Sequence, residues 1–256
     1  MPRYFAHLSY KGTHFHGWQL QPNADTVQER LNKALKTICR QDVETVGCGR
    51  TDTGVHATQF YAHFDLIDEL KDPAHITIQL NAVLPDDIRV FELIQVSQEA
   101  HARFDATQRS YSYYILQKPD AFLYEYGWFQ HLQPDIEIMN NAARLCLNRE
   151  DFSCFSKSGG QQLTNNCHIQ ECRWIKEGKW LRFTVTSNRF LRGMVRAMVG
   201  TFLEVGMGKL SVQEFEDLLR SGDRKQAGQA VPPHGLFLEE VSYPYFNGKR
   251  VFPFNK

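Results

Sequence analysis

The sequence lacks the features that mark secreted, membrane-bound and zinc-binding proteins. No apolar run approaches the roughly 20 residues that cross a bilayer. The first residues also lack the basic segment, apolar stretch and cleavage site that together form a signal peptide. The six cysteines form no Cys-x-x-Cys pair and have no histidines at zinc-site spacing. We therefore expect a soluble cytoplasmic protein with reduced, mostly buried cysteines and no metal.

Nucleotide-binding motifs and a charge excess are also absent. There is no Gly-Lys-Ser/Thr of a phosphate-binding loop, and the glycine spacing does not match the dinucleotide-binding fingerprint. The formal net charge is zero, but an RNA-binding surface needs only locally clustered basic residues. With 256 residues, 42% of them hydrophobic, the chain can form one large or two small globular domains.

One short segment combines a guanidinium, a carboxylate and an imidazole between two apolar runs. It reads Gly49-Arg50-Thr51-Asp52-Thr53-Gly54-Val55-His56-Ala57. Alternating patterns predict strands on both sides of it, at 44–48 and 57–66. Asp52 would then lie in a loop held between rigid elements, which is where catalytic groups are commonly found.

The local spacing around Asp52 has two interpretations. In an extended segment Arg50 and Asp52 point the same way, so the guanidinium could keep the carboxylate ionised and oriented. Gly49 and Gly54 allow backbone angles and close approach that side chains forbid. Alternatively, the segment is an ordinary turn in which Asp52 bonds its own backbone and Arg50 forms a surface ion pair.

The first half of the chain has a regular order of predicted elements. A capping box at Thr26 and Glu29 marks the start of the first helix, and apolar residues at helical spacing continue it. The predicted elements are strands at 4–10, 44–48, 57–66 and 88–96 and helices from 26 and at 76–83. The order β, α, β, β, α, β is that of a split βαβ, or ferredoxin-like, unit.

The second half follows a similar plan, without a visible residue-level repeat. The predicted elements are strands at 110–116, 168–175, 180–186 and 236–243 and helices at 136–147, 189–204 and 211–219. Lys176-Glu177-Gly178-Lys179 joins two of these strands as a hairpin. We expect two half-domains joined near residues 100–109, with their sheets side by side and the active site in a cleft between them.

Two groups of residues suggest an RNA partner. Arg189, Arg192 and Arg196 follow i, i+3, i+7 spacing and would lie on one face of a helix, where they could bind phosphates or form an ordinary solvated surface. A second group near the N-terminus contains Lys11, His14, His16 and Trp18. Aromatic and basic residues together suit unstacked nucleotides, although a single tryptophan is as well explained as core.

Tyr111 is a candidate for contact with a ligand. Alternation along the predicted strand places Tyr111 and Tyr113 on one face and Ser112 and Tyr114 on the other. One of these faces is expected to look into the cleft. Aromatic residues also suit strands for packing reasons alone, so a core role stays open.

Blocks along nearly the whole chain resemble the tRNA pseudouridine synthase A family. The Asp52 motif is similar to that family's active-site signature, which usually has Ala where this chain has Thr53. The other blocks, in the family's order, are Leu8-Ser9-Tyr10-Lys11-Gly12-Thr13, Phe15-His16-Gly17-Trp18-Gln19, Thr26-Val27-Gln28, His101-Ala102-Arg103-Phe104-Asp105-Ala106, Arg109-Ser110-Tyr111-Ser112-Tyr113, Met194-Val195-Arg196 and Gly235-Leu236.

The resemblance implies an α+β pseudouridine synthase fold. It predicts two ferredoxin-like half-domains with largely antiparallel sheets flanking a central cleft, residues 1–105 carrying the catalytic loop and residues 106–256 completing the cleft and the RNA-binding surface. It also implies a homodimer in which one tRNA contacts both subunits.

The implied reaction converts uridine to pseudouridine at positions 38, 39 and 40 of the tRNA anticodon stem-loop, without any metal, redox or nucleotide cofactor. Asp52 would be the catalytic carboxylate, and Arg50 would orient it. Tyr111 would pack against the uracil, while the cavity would be bordered by Arg103 and Phe104 and shaped by Gly235 and Leu236. Lys11, His14, Arg189, Arg192 and Arg196 are the expected RNA contacts.

Two other functions are compatible with parts of the sequence. A non-catalytic RNA-binding module would need the basic surface but not Asp52. A glycoside hydrolase would need a second placed carboxylate, for which Asp105 is the nearest candidate. The residues around Asp105 suit substrate positioning better.

Overall fold

The computed structural model describes residues 1–157 and 164–245 and shows a mixed α+β protein. The chain divides into two compact units: Met1–Thr107 together with the chain from Phe237, and Gln108–Leu236. The chain passes from the first unit to the second after Thr107, two residues beyond the boundary at 105 that the sequence predicted. The last strand belongs to the first unit, whereas the sequence grouped it with the second half, because its partner in the first unit is distant along the chain.

The first unit contains five strands and two helices among the described residues. In chain order they are β1 (Arg3–Tyr10), α1 (Val27–Cys39), β2 (Val46–Gly47), β3 (His56–Asp65), α2 (Pro73–Val83), β4 (Ile88–Val96) and, after the second unit, β9 (Leu236–Ser242). The predicted β, α, β, β, α, β order is therefore observed.

The strand β3 is the centre of the first unit. It pairs antiparallel with β1 along its length, and β1 pairs antiparallel with β4. The other edge of β3 is shared: β2 pairs antiparallel near Ala62, and β9 pairs parallel near His56. Eight of the ten residues of β3 are buried, so both faces of this strand are covered. The sequence predicted alternating positions on two faces, but a strand that is covered on both faces buries nearly all of its residues.

Local sequence signals account for the first helix. The Thr26 hydroxyl accepts the Glu29 N–H at 3.3 Å, which is one half of the predicted capping box, and the Glu29 carboxylate pairs with Lys33. The apolar residues Val27, Leu31 and Leu35 are buried. The helix therefore packs one stripe inward and leaves its charged residues in solvent.

The second unit contains four strands and three helices among the described residues. They are β5 (Gln108–Leu116), β6 (Trp128–Phe129), α3 (Ile136–Leu145), β7 (Ile169–Glu177), β8 (Trp180–Ser187), α4 (Met194–Gly206) and α5 (Val212–Ser221). The strand β8 pairs antiparallel with both β5 and β7, and β6 pairs parallel with β5. Gly178, with a φ of 59°, forms the predicted hairpin between β7 and β8.

The core of the second unit is a row of aromatic rings. Trp174, Phe183, Phe202 and Phe215 are buried, and neighbouring ring centroids lie 5.0, 5.3 and 5.1 Å apart. Two of these rings come from strands and two from α4 and α5. The row therefore joins the sheet to its covering helices through aromatic contact.

The start of α4 differs from the sequence prediction. The helix begins at Met194, after Gly193 in the left-handed conformation with a φ of 70°, and not near Arg189. The helix α5 was predicted within a few residues, and it begins with a complete capping box formed by Ser211 and Glu214. Among residues 1–157 and 164–245, no helix is long and apolar enough to cross a membrane.

The cysteines have the predicted environment. All six are free thiols, five are buried and Cys39 is half-buried. Burial raises the pKa of the Cys154 thiol to about 12 and that of Cys167 to about 11. At neutral pH these thiols are protonated and therefore poor nucleophiles and metal ligands.

Candidate active site

The predicted catalytic loop connects β2 to β3 and contains a tight turn at Asp52. The Val55 N–H donates to the Asp52 carbonyl oxygen at 3.2 Å, and Gly54 has a φ of 77° at the third position of this turn. A positive φ at that position is typical of a type II turn and favours glycine. Asp52 itself is half-buried, whereas Arg50 is exposed.

The two glycines of the motif serve different purposes. Gly54 supplies the left-handed conformation that the turn requires. Gly49 has no positive φ, and a Cβ added to it would meet no atom within 4 Å. The special backbone geometry expected of both glycines is therefore found at Gly54 and not at Gly49, while close approach of a substrate to either glycine stays a prediction.

A segment after β1 lies directly against the catalytic loop. The Gly54 N–H donates to the Phe15 carbonyl oxygen at 3.3 Å, and the Trp18 N–H donates to the Thr51 carbonyl oxygen at 3.4 Å. These two bonds attach the loop on both sides of Asp52. The sequence indicated this segment as a possible RNA-binding group and as a block of the family resemblance, but not as a support of the loop.

Two glycines of this segment make the close approach possible. A Cβ on Gly12 would overlap the Val55 carbonyl oxygen and reach 2.6 Å from its carbonyl carbon. A Cβ on Gly17, which has a φ of 85°, would overlap the Thr51 carbonyl oxygen. Glycine is required at both positions because backbone packs on backbone there. The sequence analysis missed this role, and no local pattern reveals it.

His56 at the end of the motif holds the loop from the other side. Its Nδ1 accepts the Gly12 N–H at 3.1 Å, so the imidazole is neutral with its proton on Nε2. Its ring stacks on Phe237 with centroids 4.5 Å apart and planes at 20°. His56 is only 1% exposed. These contacts give His56 a structural role in positioning the loop.

Thr51 is anchored to the core by Tyr10. Their hydroxyls are hydrogen-bonded at 2.9 Å. The Tyr10 ring packs on Phe60 at 5.4 Å, and Trp18 packs on the same ring at 4.2 Å. Trp18 is 2% exposed, so it belongs to the core and does not offer a stacking surface to a nucleotide. The catalytic loop therefore rests on an aromatic cluster.

The predicted N-terminal RNA contacts lie next to the catalytic loop. Lys11 directly precedes Gly12 and is half-buried, and its N–H donates to the Asp87 carbonyl oxygen at 2.9 Å. His14 is exposed, and its Nδ1 lies 3.1 Å from the Asp87 carboxylate. The structure thus brings Lys11 and His14 to the segment that holds Asp52.

Arg103 and Phe104 lie in a turn of the first unit, between β4 and β5. Both are exposed, and the Arg103 guanidinium lies over the Phe104 ring. Asp105 in the same turn accepts the His101 N–H at 2.8 Å and the Tyr245 hydroxyl at 3.2 Å. Those bonds give the Asp105 carboxylate a role in forming the turn, and the substrate positioning expected of the residues around it stays a prediction.

Tyr111 lies in β5 of the second unit. It is half-buried, and its ring meets Phe190 edge to face at 5.0 Å. Tyr113, two residues further, is fully buried and donates its hydroxyl to the Pro232 carbonyl oxygen at 2.8 Å. The two tyrosines therefore differ: Tyr113 has a core role, whereas Tyr111 keeps part of its ring accessible.

Gly235 and Leu236 lie at the start of β9. A Cβ on Gly235 would approach both the Tyr113 ring and the Tyr114 carbonyl oxygen to 2.8 Å. Leu236 is buried. Glycine at 235 is therefore explained by its packing against the β5 tyrosines.

The three arginines predicted to share a helical face do not do so. Arg189 and Arg192 precede Met194, the first residue of α4, so only Arg196 is helical. Arg196 is half-buried, and its Nε donates to the Val231 carbonyl oxygen at 2.6 Å. Arg189 is half-buried and Arg192 is exposed. The prediction from the i, i+3, i+7 spacing was wrong because Gly193 adopts the left-handed conformation and the helix begins only after it.

Within the described ranges, 1–157 and 164–245, no group of three or more His, Cys, Asp or Glu side chains is arranged to hold a metal ion.

Comparison with known proteins identifies the family. A family model described as tRNA pseudouridine synthase matches residues 6–105 and 142–244. A protein named tRNA pseudouridine synthase A from Parabacteroides distasonis is 47% identical over 253 residues, covering 99% of both chains. A relative of that name from Bacteroides thetaiotaomicron is 49% identical, covering 95% of this chain and 91% of its own. One from Clostridium perfringens, tRNA pseudouridine synthase A 2, is 36% identical, covering 92% and 97%.

The α+β fold, the Asp52 loop and these matches define the class: the chain belongs to the tRNA pseudouridine synthase family, an isomerase family. Its full-length relatives carry the more particular name tRNA pseudouridine synthase A. The resemblance stated from the sequence is thereby confirmed, and the protein is an enzyme.

Proposed function

We propose that the protein isomerises uridine to pseudouridine at positions 38, 39 and 40 of the tRNA anticodon stem-loop, with Asp52 as the catalytic carboxylate. The observation that carries this proposal is the construction of the Asp52 loop. Its neighbours Thr51, Val55 and His56 are fixed by hydrogen bonds and ring contacts, while Asp52 is only half-buried. A carboxylate held by a rigid surrounding and accessible to a substrate suits catalysis.

The reaction redistributes bonds within one nucleoside. The N1–C1′ glycosidic bond breaks, the uracil turns while it is held, and a C5–C1′ bond forms. The proton on C5 is released and N1 gains a proton, so no oxidant, reductant or hydrolytic water is consumed. Asp52 acts either as a nucleophile at C1′ or as a base toward the sugar, and the two routes use the same carboxylate.

A target base inside a stem has to leave the helix before Asp52 can reach its sugar. Flipping costs a few kcal/mol of lost stacking and pairing. We propose that the Tyr111 ring stacks on the extruded uracil and offsets part of this cost. Arg50 would orient the Asp52 carboxylate and fill the space left by the base, and Leu236 would form part of the pocket wall.

The remaining predicted residues are assigned to RNA binding. Arg103 and Phe104 would border the site, while Lys11, His14, Arg189 and Arg192 would contact the RNA backbone. Arg196 is proposed only as a partial contributor, because its Nε is already bound to Val231.

The proposal also covers the cellular location, the oligomeric state and the architecture of each half of the chain. We propose that it acts in the cytoplasm as a homodimer, with one tRNA contacting both subunits, and that each half of the chain is a split βαβ unit. The element order of the first unit supports the last point. The relatives' name, tRNA pseudouridine synthase A, supports tRNA as the substrate.

A tritium-release assay tests the function. Purified protein is incubated with tRNA that carries tritium on C5 of uridine, and released label and free uracil are measured. Release of label at the anticodon stem-loop positions, without free uracil, supports the proposal. Binding of tRNA without release would indicate an RNA-binding module. Free uracil would indicate glycosidic hydrolysis.

A further inference from the structure

The turn from His101 to Asp105 presents two exposed side chains next to each other. Phe104 is 74% exposed, and the Arg103 guanidinium carbon lies 5.7 Å from the centre of its ring. An exposed ring contributes little to folding, since its apolar area stays in water. A ring beside a cation does, however, suit a stacked base and its phosphate.

The backbone beneath this pair is held by two imidazoles. The His101 Nδ1 accepts the N–H of Arg103 at 3.1 Å and that of Phe104 at 3.2 Å. The Nδ1 of His63, a residue of β3, accepts the Ala102 N–H at 3.1 Å. Three successive backbone N–H groups therefore donate to two histidine nitrogens.

The rings themselves form a continuous row. The centroids of His63 and His101 are 4.6 Å apart with planes at 65°, and those of His101 and Phe104 are 4.2 Å apart with planes at 31°. The row begins in the core, because His63 is buried, and ends at the exposed Phe104. The orientation of the Phe104 ring therefore depends on the His101 ring.

Both histidines are suited to accept hydrogen bonds at neutral pH. Burial, together with nearby Arg3 and the other imidazole, lowers the pKa of His63 to about 4. Burial also lowers the pKa of His101, against the opposing effect of Asp105. Each ring is therefore neutral, with its proton on Nε2 and a free lone pair on Nδ1.

We propose that His101 and His63 are positioning residues for substrate binding, which fix the turn that presents Arg103 and Phe104 to the RNA. They act through the turn and through the Phe104 ring, without touching the RNA themselves. The inference rests on the proposed function, since it takes tRNA as the ligand of Phe104.

Replacement of His101 tests the role of its Nδ1. The amide oxygen of Asn can accept the same two backbone N–H groups, as it does in Asx turns, whereas Ala cannot. We expect Phe104→Ala to weaken tRNA binding about tenfold, within the range for one lost stacked base. His101→Ala should weaken it nearly as much, with kcat little changed, and His101→Asn should restore most of the affinity. The variants His63→Ala and His63→Asn are compared in the same way.

A double-mutant cycle separates positioning from general loss of structure. If His101 acts through the turn, adding His101→Ala to a variant that already carries Arg103→Ala and Phe104→Ala does not weaken tRNA binding further. Additive losses would overturn the inference, as would wild-type affinity in His101→Ala. His75→Ala, at an exposed histidine on α2, is the matched control and should bind normally.

The design keeps this inference distinguishable from the proposed function. The dissociation constant for tRNA is measured by filter binding, and tritium release is measured separately on the same preparations. Wild-type protein that binds tRNA but releases no label would contradict the proposed function and leave the cycle interpretable. Active wild-type protein with additive losses would contradict only the positioning role. Wild-type protein that does not bind tRNA would overturn both.

Discussion

Gly12 lies so close to Val55 that a Cβ on Gly12 would overlap the Val55 carbonyl oxygen. Val55 closes the turn that starts at Asp52, and the Gly12 N–H is bound to the neighbouring His56. The position of the Asp52 loop therefore depends on a backbone contact between two segments more than 40 residues apart. A methyl group at residue 12 is enough to disturb it.

Substitution of Gly12 by Ala should displace the catalytic loop. Because a misplacement of about 1 Å near the chemistry can cost about a hundredfold in rate, we expect tritium release to fall at least tenfold. Overpacking should also destabilise the protein by about 1–3 kcal/mol in urea unfolding. Gly49→Ala is the matched control, because a Cβ there meets no atom within 4 Å. Wild-type turnover in Gly12→Ala would contradict the inferred contact.

Asp52→Asn should remove catalysis while preserving the fold. The amide is nearly the same size as the carboxylate but cannot act as a nucleophile or base. We expect turnover below about a hundredth of wild type, the loss typical of removing one acid or base, with tRNA affinity within a few fold. A parallel loss of binding would assign Asp52 a structural role, and turnover above that level would refute the catalytic one.

Tyr111 is predicted to act mainly through its ring. Tyr111→Phe keeps the stacking surface and the edge-to-face contact with Phe190, so tRNA affinity should stay near wild type. Tyr111→Ala should weaken binding by about 1–3 kcal/mol, the value for one stacked base. Filter binding and single-turnover rates for both variants check this. Equal, wild-type behaviour of both would make Tyr111 a packing residue only.

Arg192 and Arg196 should respond differently to substitution by Gln. Arg192 is exposed, so its loss should flatten the salt dependence of tRNA binding by about one unit of slope if it contacts one phosphate. The melting temperature of the Arg192→Gln variant should equal that of the wild type. The half-buried Arg196 donates to Val231, so Arg196→Gln should lower stability by about 1 kcal/mol.

Binding series at several salt concentrations, paired with thermal melts, distinguish these two arginines. Arg189→Gln, at a half-buried position outside α4, is measured alongside them. An unchanged salt slope for Arg192→Gln would exclude it from the RNA-binding surface. A changed slope with normal stability for Arg196→Gln would show that its bond to Val231 contributes little.

Stability should fall at acid pH because of His63. The folded pKa of His63 is lowered to about 4 by burial and by Arg3 and His101, against Asp65 and Asp105, compared with 6.5 in the unfolded chain. The unfolded state binds more protons between these values, so stability is full above pH 6.5 and is lost as pH falls toward 4. The loss attributable to this group is about 3 kcal/mol.

The variant His63→Asn isolates this contribution. Its amide oxygen can accept the Ala102 N–H but does not titrate, so its unfolding free energy should depend less on pH. Urea unfolding of both proteins is measured from pH 7 to pH 4. Parallel pH profiles would show that His63 does not carry the effect.

Most elements could be predicted from local patterns, and the exceptions have identifiable causes. The bounds of β4, Ile88–Val96, match the strand predicted at 88–96. The start of α4 was missed because Gly193 takes a left-handed conformation that no spacing of apolar residues indicates. The partner of β9 was missed because pairing with β3 joins residues about 180 positions apart.

The sequence by itself determined the family and most of the order of strands and helices, because motifs and hydrophobic periodicity are short-range properties of the chain. Only the tertiary structure decided what holds Asp52 and which residues support the turn of Arg103 and Phe104. Gly12 against Val55 and His63 beneath Ala102 are contacts between distant segments. Such contacts depend on how packed elements meet, so no local pattern in the chain encodes them.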